Sequence, residues 1–395
     1  MRRSIIGKRE DPFLHCTICG SQVLLREPEV ISEREDWMAL CRHRGKATAR
    51  SRRPTIVPSA EVEETDFKNH VFGWMHFYRA ILDEPATGRV YLSGIDHGTM
   101  IDYYPGPVPT DPDRARLRGF VRNENRWNVD FHMVNLFEPD RHREAGRRIG
   151  FPAHPHCWLL VDRVIGFAKV LPNLRAYTEA VMAFWPANKR DWRPPTQHLP
   201  GTDSCFEQGA FGRREGVTPH FNSEDEAENY FYRLDTKSMR DEELWHALGS
   251  PYRTPAIQEL MKVATRPRAR TEKVVSRLPV ELALMTVDLI YRGRPLCQER
   301  INDTQNILEA FQWTLPDSYW KKRCEPELVY EVGDLEASGK PVDWAVFCLG
   351  LEELIVDPHW FCVSGLRFRQ RILRVLKGIK ERFEEIVAKN ESDLG

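Results

Sequence analysis

Cys16 and Cys19 stand three positions apart and are followed by Gly20. Two thiolates on one tight turn can grip a single tetrahedral ion, and the glycine lets the backbone turn and aim amides at the sulfurs. Such a pair is half a site. The same spacing recurs in His154-Pro155-His156-Cys157, where His154 and Cys157 are again three apart. Cys16, Cys19, His154 and Cys157 together would make a Cys₃His site for a structural zinc ion, stapling an N-terminal knuckle to a strand-to-helix junction. Two alternatives compete for the second half. His156 can replace His154, and Cys41 with His43 offers another pair, with a less usual spacing and inside a basic tract. A redox role for Cys16 and Cys19 would call for a surrounding βαβ pattern, which the sequence lacks. Four full protein ligands leave no open position, so the ion is expected to be structural rather than catalytic.

Other chemistry is thinly represented. Asp96-His97-Gly98 has the residue types of an acid/base pair but reads as a turn. The sequence holds no GxSxG elbow, no P-loop, no GxGxxG fingerprint after a strand and no HExxH. Cys205, Cys297, Cys324, Cys348 and Cys362 have no ligand spacing and read as small buried hydrophobes or bystanders. No catalytic residue is assigned, and an enzyme is not expected.

The 395 residues carry 57 Lys and Arg against 58 Asp and Glu, a formal charge of −1. General nucleic-acid binding needs a surplus of cations for the phosphates, so this balance argues against it. The local basic tract from Arg42 to Arg53 reads as an exposed loop. With 41% hydrophobic and 29% charged residues, a packed core is expected rather than wholesale disorder. No run approaches the roughly 18 apolar residues of a membrane span. The opening MRRSIIGKRE lacks the apolar segment of a secretory signal. Nine cysteines at irregular spacings suit reduced thiols, and the expected location is cytoplasmic or nuclear.

The elements that must position these residues follow from periodicity. Residues 70–137 look strand-rich, with strict apolar/polar alternation from Trp127 to Met133 and a shorter candidate from Gly88 to Gly94. From His156 the pattern turns helical and stops at Gly166, and a second helix runs near Asn173–Phe184. Residues 186–235 read as irregular and include the acidic run from Ser223 to Glu228. Ser238 opens a helix that Gly249 closes, and Thr254-Pro255 opens another. The tract from Arg266 to Arg270 reads as a linker. It divides a zinc-knuckle α+β domain over 1–265, with a mixed sheet and flanking helices, from a helical module over 266–395. The module is expected to hold helices at Leu278–Tyr291, from a cap at Asp303 or Thr304, at Val342–Ile355 and at Gly365–Lys389. The fold class is α+β.

Leu278-Pro279-Val280-Glu281-Leu282 opens a helix in which Leu278, Leu282, Met285 and Leu289 form an apolar stripe. Pro279 starts it and Glu281 suits its positive end. This resembles the opening of an F-box. The segment from Trp313 to Arg323 (WTLPDSYWKKR) is similar to an LPxSYWxxR segment of an uncharacterised filamentous-fungal F-box-like protein family. Val342-Asp343-Trp344, the run from Cys348 to Glu352, and the run from Gly365 to Ile372 are similar to other parts of the same group. So are the CxxCG at Cys16, Cys19 and Gly20 and the HxxCW at His154, Cys157 and Trp158. The match is a set of islands between about 15 and 385. It departs at Ala283 and Thr286, where an F-box carries larger aliphatic residues, and across the polar stretch from Arg294 to Asn306. Two trimmed aliphatic contacts would forfeit roughly 2–4 kcal/mol of adaptor affinity.

The resemblance implies a non-catalytic adaptor. Leu278, Pro279, Glu281, Leu282, Met285 and Leu289 would dock a Skp-type adaptor protein, and the N-terminal domain would recruit an unknown target protein to a cullin-based ubiquitin ligase. The alternatives are a zinc-stabilised structural or interaction protein with no ligase link, and a nucleic-acid binder using the knuckle and the Arg42–Arg53 tract.

Overall fold

A computed structural model describes residues 14–21, 23, 55–65, 73–97, 108–118, 131–134, 136–137, 148–188, 249–266, 279–357, 360–361 and 364–394. Cys41, His43, the basic tract, the acidic run, the helix expected from Ser238, Cys205, Leu278 and Cys362 lie outside them.

The centre of the sheet is β2 (Phe77–Glu84), buried from Phe77 to Leu82. Both of its faces are covered, so no apolar/polar alternation marks it in the sequence. It pairs antiparallel with β7 (Ile149–Ala153) on one side and β3 (Arg89–Leu92) on the other, and its first two residues pair with β4 (Asp96–His97). The short β6 (His132–Met133) joins β7 in parallel, so the sheet is mixed, in the order β3-β2-β7-β6. A separate antiparallel pair joins β1 (Thr55–Pro58) to β5 (Arg114–Arg118). The candidate strand at Gly88–Gly94 is seen as β3. Of the alternating stretch Trp127–Met133, residues 127–130 lie outside the described set and β6 is its last part.

The helices follow. In the N-terminal part they are α1 (Ser59–Glu63), α2 (Pro155–Val164), α3 (Phe167–Val170), α4 (Leu174–Ala187) and α5 (Pro255–Ala264). The C-terminal part adds α6 (Val280–Gly293), α7 (Gln298–Ala310), α8 (Asp317–Arg323), α9 (Glu331–Ala337), α10 (Trp344–Val356) and α11 (Leu366–Leu394). Sheet and helices together make an α+β fold. None of the described helices is long and apolar enough to cross a membrane.

Two expectations change. The helix expected to start at Asp303 or Thr304 begins at Gln298, with both residues inside it. Thr304 donates its hydroxyl to the Arg300 carbonyl (2.8 Å) and Asp303 pairs with Arg294 (2.6 Å), so the two polar groups find partners without capping anything. The polar stretch Arg294–Asn306 is therefore largely helical. On α11, where a periodic apolar face would be expected to leave the arginines in water, Leu366, Ile372, Leu376, Ile379 and Phe383 point inward and Arg369 joins them at 0% exposure. Its guanidinium makes a two-bond pair with Glu331 (2.8 and 2.9 Å) and donates to the carbonyls of Pro251 (2.6 Å) and Tyr252 (3.0 Å). A buried arginine is tolerated when its fork is filled in this way.

The α11 helix packs along α4 and α2. Gly378 allows the close approach, since a Cβ there would lie 2.5 Å from the Phe184 ring of α4. One hydrophobic core runs from the sheet through α2 and α4 into the C-terminal helices, without interruption at residues 265/266.

Candidate functional site

The knuckle is a tight hairpin. The Val23 N–H donates to the Leu14 carbonyl (2.7 Å), the Cys16 N–H to Ser21 (2.8 Å) and the Gly20 N–H back to Cys16 (2.8 Å). Gly20 has φ of 74°, a left-handed conformation that a side chain would strain. The hairpin is tied down at its tip. Thr17 donates both its N–H (2.7 Å) and its hydroxyl (2.9 Å) to the Pro152 carbonyl of β7, and Trp185 of α4 donates its indole N–H to the Thr17 carbonyl (2.7 Å). On the other side, His154 is the extended residue between β7 and α2. Pro155 occupies the first helical position, and Cys157 falls in the first turn.

These two segments bring Cys16, Cys19, His154 and Cys157 together, each at 0% exposure, with one ligand atom from each within 4.8 Å of the others. His154 Nδ1 lies 3.5 Å from Cys19 Sγ and 3.9 Å from Cys157 Sγ. An ion bound tetrahedrally at about 2.3 Å from sulfur and about 2.1 Å from nitrogen would set nitrogen–sulfur edges of roughly 3.6 Å. The two nitrogen–sulfur distances are close to that edge, and the group could hold one metal ion. The choice between histidines is decided by their neighbours. His156 turns its Nδ1 to the Ser250 hydroxyl (2.6 Å), and that oxygen accepts the N–H groups of Tyr252 and Arg253 (both 3.1 Å). His156 is a buried structural residue.

The electrostatics of the cluster split it, favouring the charged form of Cys19 and the protonated forms of Cys157 and His154. Burial pushes the Cys19 thiol up, yet hydrogen bonds from Cys157 and Cys16 and the His154 charge bring it well below its usual value. Cys157 is driven well above its usual value by burial and by the neighbouring Cys16 and Cys19. Burial lowers His154, but the Cys16 and Cys19 charges outweigh that and raise it to about 10. A divalent ion would displace these protons and take over their role.

The other sequence candidates are placed as follows. Asp96 and His97 are buried in β4 rather than in an open turn. Asp96 accepts from Arg116 Nε (2.8 Å) and Nη2, and His97 Nδ1 bonds the Arg116 carbonyl (3.2 Å), so the pair is bound up in the fold. Cys324 and Cys348 are buried and Cys297 is half-buried. On α6, Pro279 is the N-cap and Glu281 is exposed. Leu282, Met285 and Leu289 are exposed at 45%, 62% and 66%, whereas Ala283 and Val287 are buried. The stripe thus faces outward. Ala283 is buried on a different face of α6 from the exposed row. Beside the row, an open cleft between α6 and α7 is lined by Ile290, Asp303, Asn306, Ile307 and Ala310.

Several residues of the site carry no sequence signal. Trp185 clamps the knuckle, Trp74 packs edge-on against His154 (4.9 Å between centroids), and Arg371 of α11 donates to the Cys19 carbonyl at 2.5 Å. Their positions depend on packing between segments far apart in the chain. Comparisons with family models, with curated proteins and with solved structures found no match.

Proposed function

We propose that the chain is a non-catalytic adaptor that docks a Skp-type protein through α6 and recruits a target protein to a cullin-based ubiquitin ligase, with a structural zinc ion in its N-terminal part. The observation that supports this reading is the outward row of Leu282, Met285 and Leu289, on the helix whose sequence resembles an F-box opening. A helix that served only its own core would turn those residues inward. Covering the three side chains would contribute roughly 3–5 kcal/mol at the usual hydrophobic transfer scale, enough to anchor a partner. For the metal, three thiolates and one imidazole gathered in one buried group favour zinc over harder ions.

The test is gel filtration of the full chain with a Skp-type adaptor. A stoichiometric complex is expected, and the double variant Leu282→Asp, Met285→Asp should weaken it at least about 100-fold while the protein stays folded. Failure of the wild type to bind at micromolar concentration would leave a zinc-stabilised interaction protein with no ligase link. Metal analysis of protein purified without added zinc should find about one equivalent, reduced by Cys16→Ser and by Cys157→Ser.

A further inference from the structure

We infer that Arg371 balances the charge of the metal centre, so that metal affinity depends on α11, more than 200 residues beyond the last ligand. The inference rests on the zinc reading above. Three thiolates and a neutral imidazole around a divalent cation leave one net negative charge. All four ligand residues are fully buried, and a buried charge without a counter-charge is strongly unfavourable.

Support from the histidine side is thin. A ligating histidine usually donates its second ring N–H to an acceptor that orients it. His154 Nε2 is buried and has no hydrogen-bond partner among the described residues. The His154 ring meets the Trp74 ring edge-on. His156, two residues on, turns its Nδ1 to the Ser250 hydroxyl.

Arg371 supplies a cation from the sulfur side. Its Nη2 donates to the carbonyl of Cys19, the backbone of a ligand residue itself. A guanidinium stays protonated at any working pH, and bonding the carbonyl beside a thiolate places a fixed positive charge within one residue's reach of it. The packing of α11 against α4 and α2 fixes this position. One turn earlier, Phe368 meets Trp74 at 5.9 Å between centroids, and the Arg371 guanidinium lies 5.4 Å from the Phe368 ring. The helix thus reaches the centre by two routes. Arg371 is polar and charged, Phe368 apolar, and they can be separated.

The experiment is zinc titration of the full chain against a chromophoric chelator, with cobalt(II) as a spectroscopic substitute. Arg371→Met should weaken zinc binding about 10–100-fold and shift the cobalt–thiolate charge-transfer band. Arg371→Lys should recover most of the affinity. Phe368→Leu, which loosens α11 but keeps the charge, should stay within about threefold of wild type. If Arg371→Met does not fold, Arg371→Gln replaces it with the same expectation. Wild-type affinity in the uncharged variants would overturn the inference. So would an equal loss in Phe368→Leu, since packing of α11 would then account for the effect. A wild-type protein that takes up neither metal would overturn the zinc reading and this inference together.

Discussion

Asp96 sits buried in β4 with both carboxylate oxygens on Arg116, itself 4% exposed. Burial pushes its pKa up, but the Arg116 and His97 hydrogen bonds hold it below the usual carboxylate value of 3.8. A group depressed on folding contributes stability that is present above its unfolded pKa and lost as pH falls through its folded pKa. Wild-type stability should therefore drop below about pH 4, and Asp96→Asn should show a shallower drop there. At neutral pH the variant should cost about 3–5 kcal/mol, because it removes the charged end of a buried pair in which Arg116 addresses both Asp96 oxygens. Urea unfolding across that range measures both, and parallel acid limbs would rule the pair out as the source. The clustering of Cys16, Cys19, His154 and Cys157 was legible at this scale because each half carries its own local spacing. Which histidine belongs was not, since that depends on Ser250, nearly a hundred residues away.

The α6 helix is held from behind by the segment that resembles LPxSYWxxR. Asp288 accepts from the Tyr319 hydroxyl (2.9 Å) and from Arg323 (2.5 Å). The Arg323 guanidinium also lies 3.7 Å from the Tyr291 ring centroid and 4.4 Å from that of Tyr319. Arg323→Met should cost about 1–3 kcal/mol. Amide hydrogen exchange should speed up in α6 before the rest of the protein, and uniform acceleration everywhere would count against this local role. Amphipathic helices such as α4 and α11 were readable from their 3.6-residue period. The bounds of β2, inside the strand-rich stretch 70–137, and the existence of β7 were not, because a strand covered on both faces loses its alternation. Arg369 escaped for a similar reason, as arginine on a long helix ordinarily marks the wet face.

Across the whole molecule, the expected division at 265/266 meets a core that does not stop there. Phe184 of α4 packs at Gly378 of α11, and Arg369 ties α11 to the loop before α5 and to α9. A fragment of residues 1–265 should therefore fail to fold by circular dichroism even with zinc present, whereas the full chain folds. A folded, zinc-loaded fragment would show that the sheet layer is self-sufficient. The linker-like tract from Arg266 to Arg270 suggested a boundary because composition reports local chain character. It says nothing of which distant surfaces a later helix will cover.

The placement of Arg371 has a further consequence during synthesis. Cys157, the last of the four clustered residues, is made 214 residues before Arg371. At ribosomal rates of about 5–20 residues per second, that is a delay of roughly 10–40 s. Through that interval the nascent chain carries all four clustered side chains but not the helix that packs along α4 and α2 and donates to the Cys19 carbonyl in the finished fold.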